Sequence, residues 1–263
     1  MIYSKSSRLT RSFVVVLAGL CLLLSTMATT AQNRLDKKDD RLLSESDIAL
    51  IQVYEVDLRS DPPPRVVIPK NQLRDFLKEF QEDDRIPRGK QNQERWLRSS
   101  GHEQLGLIFQ LKARSYYEHV RIRSQIQSLR DWGNIHRRYI LGYFQPNFGS
   151  GAVEGLYLFP RGRQADRIEM TNFYILTQVK IDGKPIIDRN VPEESLLVQW
   201  GLPRESAKFP APEDVENWEP KFKSTEDERF VEHVDWIKSL LADNQGSNYG
   251  INYKMPKHKK TSN

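Results

Sequence analysis

The feature that most constrains this chain is an apolar run over residues 13–24. Lys5, Arg8 and Arg11 precede it, and residues 1–31 carry no acidic side chain. Ala28, Thr29, Thr30 and Ala31 follow, and Gln32 opens a polar stretch. A basic start, an apolar middle and a small-residue exit form the order that a secretion signal requires. The run is shorter than the roughly 20 residues that cross a bilayer as a helix. The expectation is a signal peptide over residues 1–31, cleaved after Ala31 or after Ala28, with an uncleaved N-terminal anchor as the alternative. The folded part then belongs to an exported protein, periplasmic or secreted, with no stable membrane span after cleavage.

Export narrows the chemistry. Cys21 is the one cysteine and lies inside the apolar run. Leu20 stands before it, where a lipoprotein signal wants a small residue. Once the leader is cut, no cysteine remains for a disulfide, a thiolate metal site or a thiol nucleophile. The rest, about 230 residues, is long enough to bury a core of its own. The formal charge of +5 falls to +2 once the 3 basic residues of the leader are removed. Lys254, Lys257, Lys259 and Lys260 carry part of that excess in the last residues. Such a chain lacks the basic face that nucleic-acid binding requires.

Apolar spacing predicts a mainly α fold with a small β-hairpin. Residues 32–47 read as a charged lead-in, and residues 48–58 as a strand or a short helix. Pro62, Pro63 and Pro64 then break any regular element. Val66, Val67 and Ile68 read as a short strand. Asn71 is expected to cap a helix through Leu73, Phe76, Leu77 and Phe80. Residues 81–95 are hydrophilic and read as a loop, and residues 105–111 form a second apolar block. Leu129, Trp132, Ile135, Tyr139 and Ile140 fall on one face of a helix over residues 128–143. A glycine-bearing loop is expected over residues 145–151, a strand over 156–159 and another over 171–181. Asp182-Gly183 then signals a hairpin turn. Pro192 opens a helix that Gly201 stops. Thr225 is expected to cap the last helix, whose apolar stripe runs through Phe230, Val234, Ile237 and Leu241. One domain over residues 48–243 is expected, followed by a disordered basic tail over 244–263.

No complete catalytic motif appears. His102, His119, His136, His233 and His258 include no i, i+4 pair around a glutamate, so zincin chemistry has no support. A Gly-x-Ser-x-Gly elbow is missing as well. Gly149-Ser150-Gly151 reads as a flexible turn. His136, beside Arg137 and Arg138, reads first as a partly buried, hydrogen-bonded histidine and second as a ligand or acid–base group. His233 and His258 read as surface residues. Asp182, Asp188, Glu193 and Glu194 lie close in sequence and could be paired carboxylates. Beside turns and helix starts, such acids usually cap and solvate. Asn172, Asp188 and Arg189 read as structural, holding the hairpin to the next helix.

One stretch goes further. Leu129-Arg130-Asp131, Ile135-His136-Arg137 and residues 171–176 (Thr-Asn-Phe-Tyr-Ile-Leu) are followed by Ile187-Asp188-Arg189, residues 192–197 (Pro-Glu-Glu-Ser-Leu-Leu), Gly201-Leu202-Pro203 and residues 234–237 (Val-Asp-Trp-Ile). Together, residues 128–242 resemble a secreted c-type-cytochrome-like domain of planctomycete proteins. The resemblance implies a cytochrome-c-like helical core in the C-terminal half. It also implies a Cys-x-x-Cys-His haem attachment site. The equivalent place here, residues 143–151, reads Tyr-Phe-Gln-Pro-Asn-Phe-Gly-Ser-Gly, with neither cysteine nor histidine. Covalent haem is thereby excluded. In one reading the haem is gone, and Tyr143 and Phe148 fill its space. In the other, haem is held non-covalently by His136 with Met170 as second axial ligand. The first makes the protein a non-enzymatic binding or scaffold module that engages an envelope or periplasmic partner and needs no cofactor. The second makes it a periplasmic electron-transfer protein. An envelope hydrolase built on the scattered carboxylates is a third reading.

Overall fold

The computed structural model describes residues 41–215 and 218–256; the expected signal peptide and His258 lie outside them. The described chain starts with its own anchor. Leu42 and Leu43 are buried, although they belong to the expected lead-in. Leu43 N donates to Thr171 Oγ1 at 3.0 Å, and Arg167 donates to the carbonyls of both leucines. Ser44 then closes a reciprocal capping box with Asp47 at the start of α1, Glu45–Glu55. The mixed periodicity of this segment has a simple cause. α1 runs between two hydrophobic cores: Ile51 enters one, Val53 the other, and Leu50 and Tyr54 pack against both.

The smaller core is built from residues 53–126. β1, Val66–Val67, is followed by α2, Lys70–Glu79, α3, Lys90–Leu97, and α4, Gly101–Gln110. A 3-10 turn, Arg114–His119, leads into β2, Arg121–Ile122. β1 and β2 pair antiparallel, with Val66 opposite Ile122. Leu73, Phe76 and Leu77 of α2 meet Leu105 and Ile108 of α4. Phe76 stacks on Trp96 with ring centroids 5.7 Å apart and meets Tyr116 edge-on. A Cβ on Gly101 would stand 2.0 Å from the carbonyl oxygen of Val66, so only glycine lets α4 start beneath the strand. Residues 81–95, expected as a loop, contain most of α3 instead. Only Leu97 of that helix is buried, which leaves no periodic stripe to read. Pro69, rather than Asn71, occupies the N-cap of α2.

The larger core is built from the rest of the described chain. α5, Gln127–Ile135, passes directly into a 14-residue π-helix, His136–Gly149. The expected loop over residues 145–151 is therefore mostly helical. Residues 156–159, expected as a strand, run irregularly with Leu156, Leu158 and Phe159 buried. α6, Ala165–Gln178, replaces most of the strand expected over residues 171–181. Met170 to Leu176 are all buried, so α6 is enclosed on every side and loses the 3.6-residue pattern. A short unbroken apolar run of that kind reads equally well as a strand. The Asp-Gly hairpin forms as expected: β3, Lys180–Ile181, pairs with β4, Lys184–Pro185. Asp182 and Gly183 both take positive φ, 50° and 77°, as the tight turn demands.

A 3-10 turn, Pro192–Glu194, and a short α7, Leu196–Gln199, come after the hairpin. α8, Glu228–Ser239, closes the core; Asp227 caps it rather than Thr225. Trp236 of α8 stacks on Trp132 of α5 at 5.3 Å, and its indole N–H donates to Ser128 O. The segment after α8, expected as a disordered tail, forms a 3-10 turn over Ala242–Asn244 and then packs back. Tyr249 is fully buried and Ile251 nearly so. Tyr253 donates to Arg41 O at 2.6 Å, joining the end of the described chain to its start. No helix among the described residues is long and apolar enough to cross a membrane.

Candidate functional site

Three buried polar groupings stand out, two in the larger core and one where it meets the smaller, and each is centred on a residue able to titrate. The first sits where α5 meets the π-helix. Asn172 of α6 donates from Nδ2 to His136 Nε2 at 3.0 Å and to Phe159 O at 2.9 Å. Its Oδ1 accepts from Phe159 N at 2.8 Å. These bonds fix the amide orientation, so His136 Nε2 is an acceptor and the ring proton sits on Nδ1. Nδ1 faces Glu169 Oε2 at 3.9 Å. Burial pushes the His136 pKa down to about 4, with Arg137 and Arg161 adding repulsion. Burial also raises Glu169 above the ordinary carboxylate range. At neutral pH the His136 imidazole is neutral.

The second grouping ties three distant segments together. Glu55 at the end of α1 accepts on Oε1 from Arg189 Nη1 at 2.7 Å and from the Tyr249 hydroxyl at 2.8 Å. Arg189 also donates to that hydroxyl and to Leu241 O. Asn244 donates to Tyr54 O at 2.7 Å beside them. The Glu55 and Arg189 side chains are 0% and 2% exposed, so two opposite charges are sealed inside the protein. Tyr249 adopts φ 56°, a left-handed conformation that costs about 1–2 kcal/mol for a side chain of this kind. Its buried ring and hydroxyl hold it there.

The third is His233 of α8. It was expected at the surface but is buried against Tyr139 and Phe222, with ring centroids at 4.6 and 5.4 Å. Nδ1 donates to Arg229 O, and Nε2 has no hydrogen-bond partner. Burial pushes its pKa down to about 4. His233 stands three residues after Phe230 and four before Ile237, inside the apolar stripe, so its spacing carried the signal for burial.

Residues 143–151 hold no vacant slot. Tyr143 donates to Trp200 O at 3.2 Å, and Phe148 is fully buried, 5.0 Å from both Phe144 and Trp200. The one lone pair of His136 in its fixed tautomer is taken by Asn172. Met170 follows Glu169 by one residue, about 100° further round α6. It lines an outer groove with Ile48 and Leu129. Of the carboxylates near the hairpin, Asp188 caps and Glu194 pairs at the surface. The Asp188 carboxylate accepts from Asn190 N and Val191 N, and its own N–H donates to Ser195 Oγ, while Glu194 pairs with Lys208. Among the described residues, no group of three or more His, Cys, Asp or Glu side chains could hold a metal ion.

Sequence reasoning named Asn172, Asp188 and Arg189 as structural and missed Glu55, Glu169 and Tyr249. The signal for Glu55 was its place four residues after Ile51, on a buried face of α1. No family model, curated protein or solved structure matches this chain.

Proposed function

We propose that this is an exported, non-catalytic binding or scaffold protein that acts in the periplasm or envelope. The observation that carries the reading is that the polar side chains first singled out for chemistry are engaged inside the fold. His136, Arg189 and Asn172 each hydrogen-bond within the protein, in a core whose helix junction is filled by Tyr139, Tyr143, Phe144 and Phe148. Reactive side chains need access to a substrate, and these serve packing and orientation. The leader sequence supports export. In a degenerate cytochrome-like domain, the aromatic filling would stand where porphyrin stood.

The test is the full-length protein purified from its native envelope fraction. Expected is a leader-processed, folded protein whose visible spectrum has no Soret band, either oxidised or reduced. A Soret band with α and β bands that sharpen on reduction would overturn the reading in favour of electron transfer. Recovery of the unprocessed protein in the cytoplasm would overturn the export half.

A further inference from the structure

A groove of about 590 Å³ opens beside the first polar grouping, lined by Ile48, Leu129, Gly133, Arg137, Glu169 and Met170 among others. We propose that it binds a primary ammonium group carried on a short aliphatic chain, with the Glu169 carboxylate as its counter-ion. This site is independent of the scaffold reading.

Three observations point the same way. The Glu169 carboxylate accepts no hydrogen bond from the described residues; His136 Nδ1 lies 3.9 Å from it, and Arg137 is the cation near enough to act on it. Arg137 lines the same groove but donates to Asn134 instead. A half-buried carboxylate without donors gains from any N–H group brought to it. Secondly, Gly133 stands at mid-helix in α5, where glycine weakens a helix relative to alanine. Its φ is not positive, so backbone freedom does not account for it. A Cβ there would lie 3.0 Å from Glu169 Oε1, so the glycine is what leaves the carboxylate its room. Thirdly, the Asn172 amide holds the His136 proton on the side facing Glu169, which fixes a polar floor under the acid.

The walls select the rest of the ligand. Ile48, Leu129 and Met170 give an apolar surface that a short alkyl chain can cover. Asp166 joins Glu169 on the acidic side of the groove, opposite Arg130 and Arg137, and the apolar wall beside them suits an alkyl chain that ends in an ammonium group. Among the described residues, no group of three or more His, Cys, Asp or Glu side chains forms a metal site around this acid.

The probe is n-butylammonium chloride, titrated into the 15N-labelled protein at constant ionic strength. Expected are saturable amide shifts at Gly133 and Glu169. The neutral isostere n-butanol should bind about tenfold more weakly, and so should n-butylammonium to a folded Glu169→Gln variant. Arg137→Ala removes a competing cation from an exposed position and should tighten binding about twofold or more. Equal shifts with n-butanol, or no saturable shift at Gly133, would overturn the proposal. So would unchanged binding in Glu169→Gln. If that variant does not fold, Arg137→Ala decides: unchanged or weaker binding counts against the site.

Discussion

The two cores of this protein are stabilised in different ways. The smaller core closes over one stretch of chain and holds two buried polar side chains, Glu55 at its edge and Gln104. Gln104 donates locally, to the carbonyls of Trp96, Leu97 and Ser99. The larger core contains His136, Thr171, Asn172, Arg189, Ser195, Gln199, His233 and Asn244. Several of its bonds span most of the described chain: Tyr249 to Glu55 bridges 194 positions, and Leu43 to Thr171 bridges 128. Local apolar packing suffices where helices follow one another closely. Where distant segments must meet, a directional polar bond fixes which ones do. α1 belongs to both regions, so Glu55 is where the two modes join.

The largest expected effect comes from breaking that joint. Arg189→Met leaves the Glu55 carboxylate buried and uncompensated, at a cost of about 3–5 kcal/mol. Urea unfolding should show both cores weakened, because the lost bond anchors α1. Loss confined to the larger core would mean that α1 is held by the smaller one alone.

Acid should separate the regions by chemistry. His136 and His233 have folded pKa values near 4 against an unfolded value of about 6.5. The unfolded chain therefore binds more protons between those values, and stability falls as pH drops through that window. By pH 5 the loss is about 2 kcal/mol for each histidine. Glu169, raised by burial, acts in the opposite sense across the carboxylate range and offsets part of the loss. Near-ultraviolet circular dichroism of Trp132 and Trp236 should report the transition first, and replacing His233 by Leu should flatten it. A pH-independent midpoint between pH 7 and 5 would contradict the assignment.

Leu105→Ala, in the smaller core, should cost about 3 kcal/mol through a lost side chain and a cavity. Hydrogen exchange should accelerate in α2 and α4 before α6. Equal acceleration everywhere would make the two cores one cooperative unit. The smallest effect is expected from Ser100→Ala. Ser100 Oγ accepts from Glu103 N at the start of α4, so its loss should cost about 1 kcal/mol in a purely local change.

The same contrast governs how much of the fold is legible in the sequence. α2 and the hairpin are legible because their signals are local: an apolar stripe at helical spacing and an Asp-Gly pair. α8 is legible in its stripe, although its cap is displaced by two residues. α6 reads as a strand because complete burial erases the periodic pattern. The 244–256 segment reads as a tail because Tyr249, Ile251 and Tyr253 are scattered among polar residues, and the partners of Tyr249 lie in α1 and after the hairpin. At the candidate site, His136 is visible as a histidine in an amphipathic helix. Its carboxylate neighbour is not, since Glu169 sits in the segment that reads as leading into a strand.

By itself, the sequence determined the leader pattern, the absence of cysteine after it, the helical bias and the short-range turns. Each depends on residue types and spacings within a few positions. Tertiary structure alone decided which polar residues are buried, which tautomer His136 holds and where the chain's last described residues belong. Those outcomes depend on desolvation and on partners more than 30 positions away, and no local pattern encodes them.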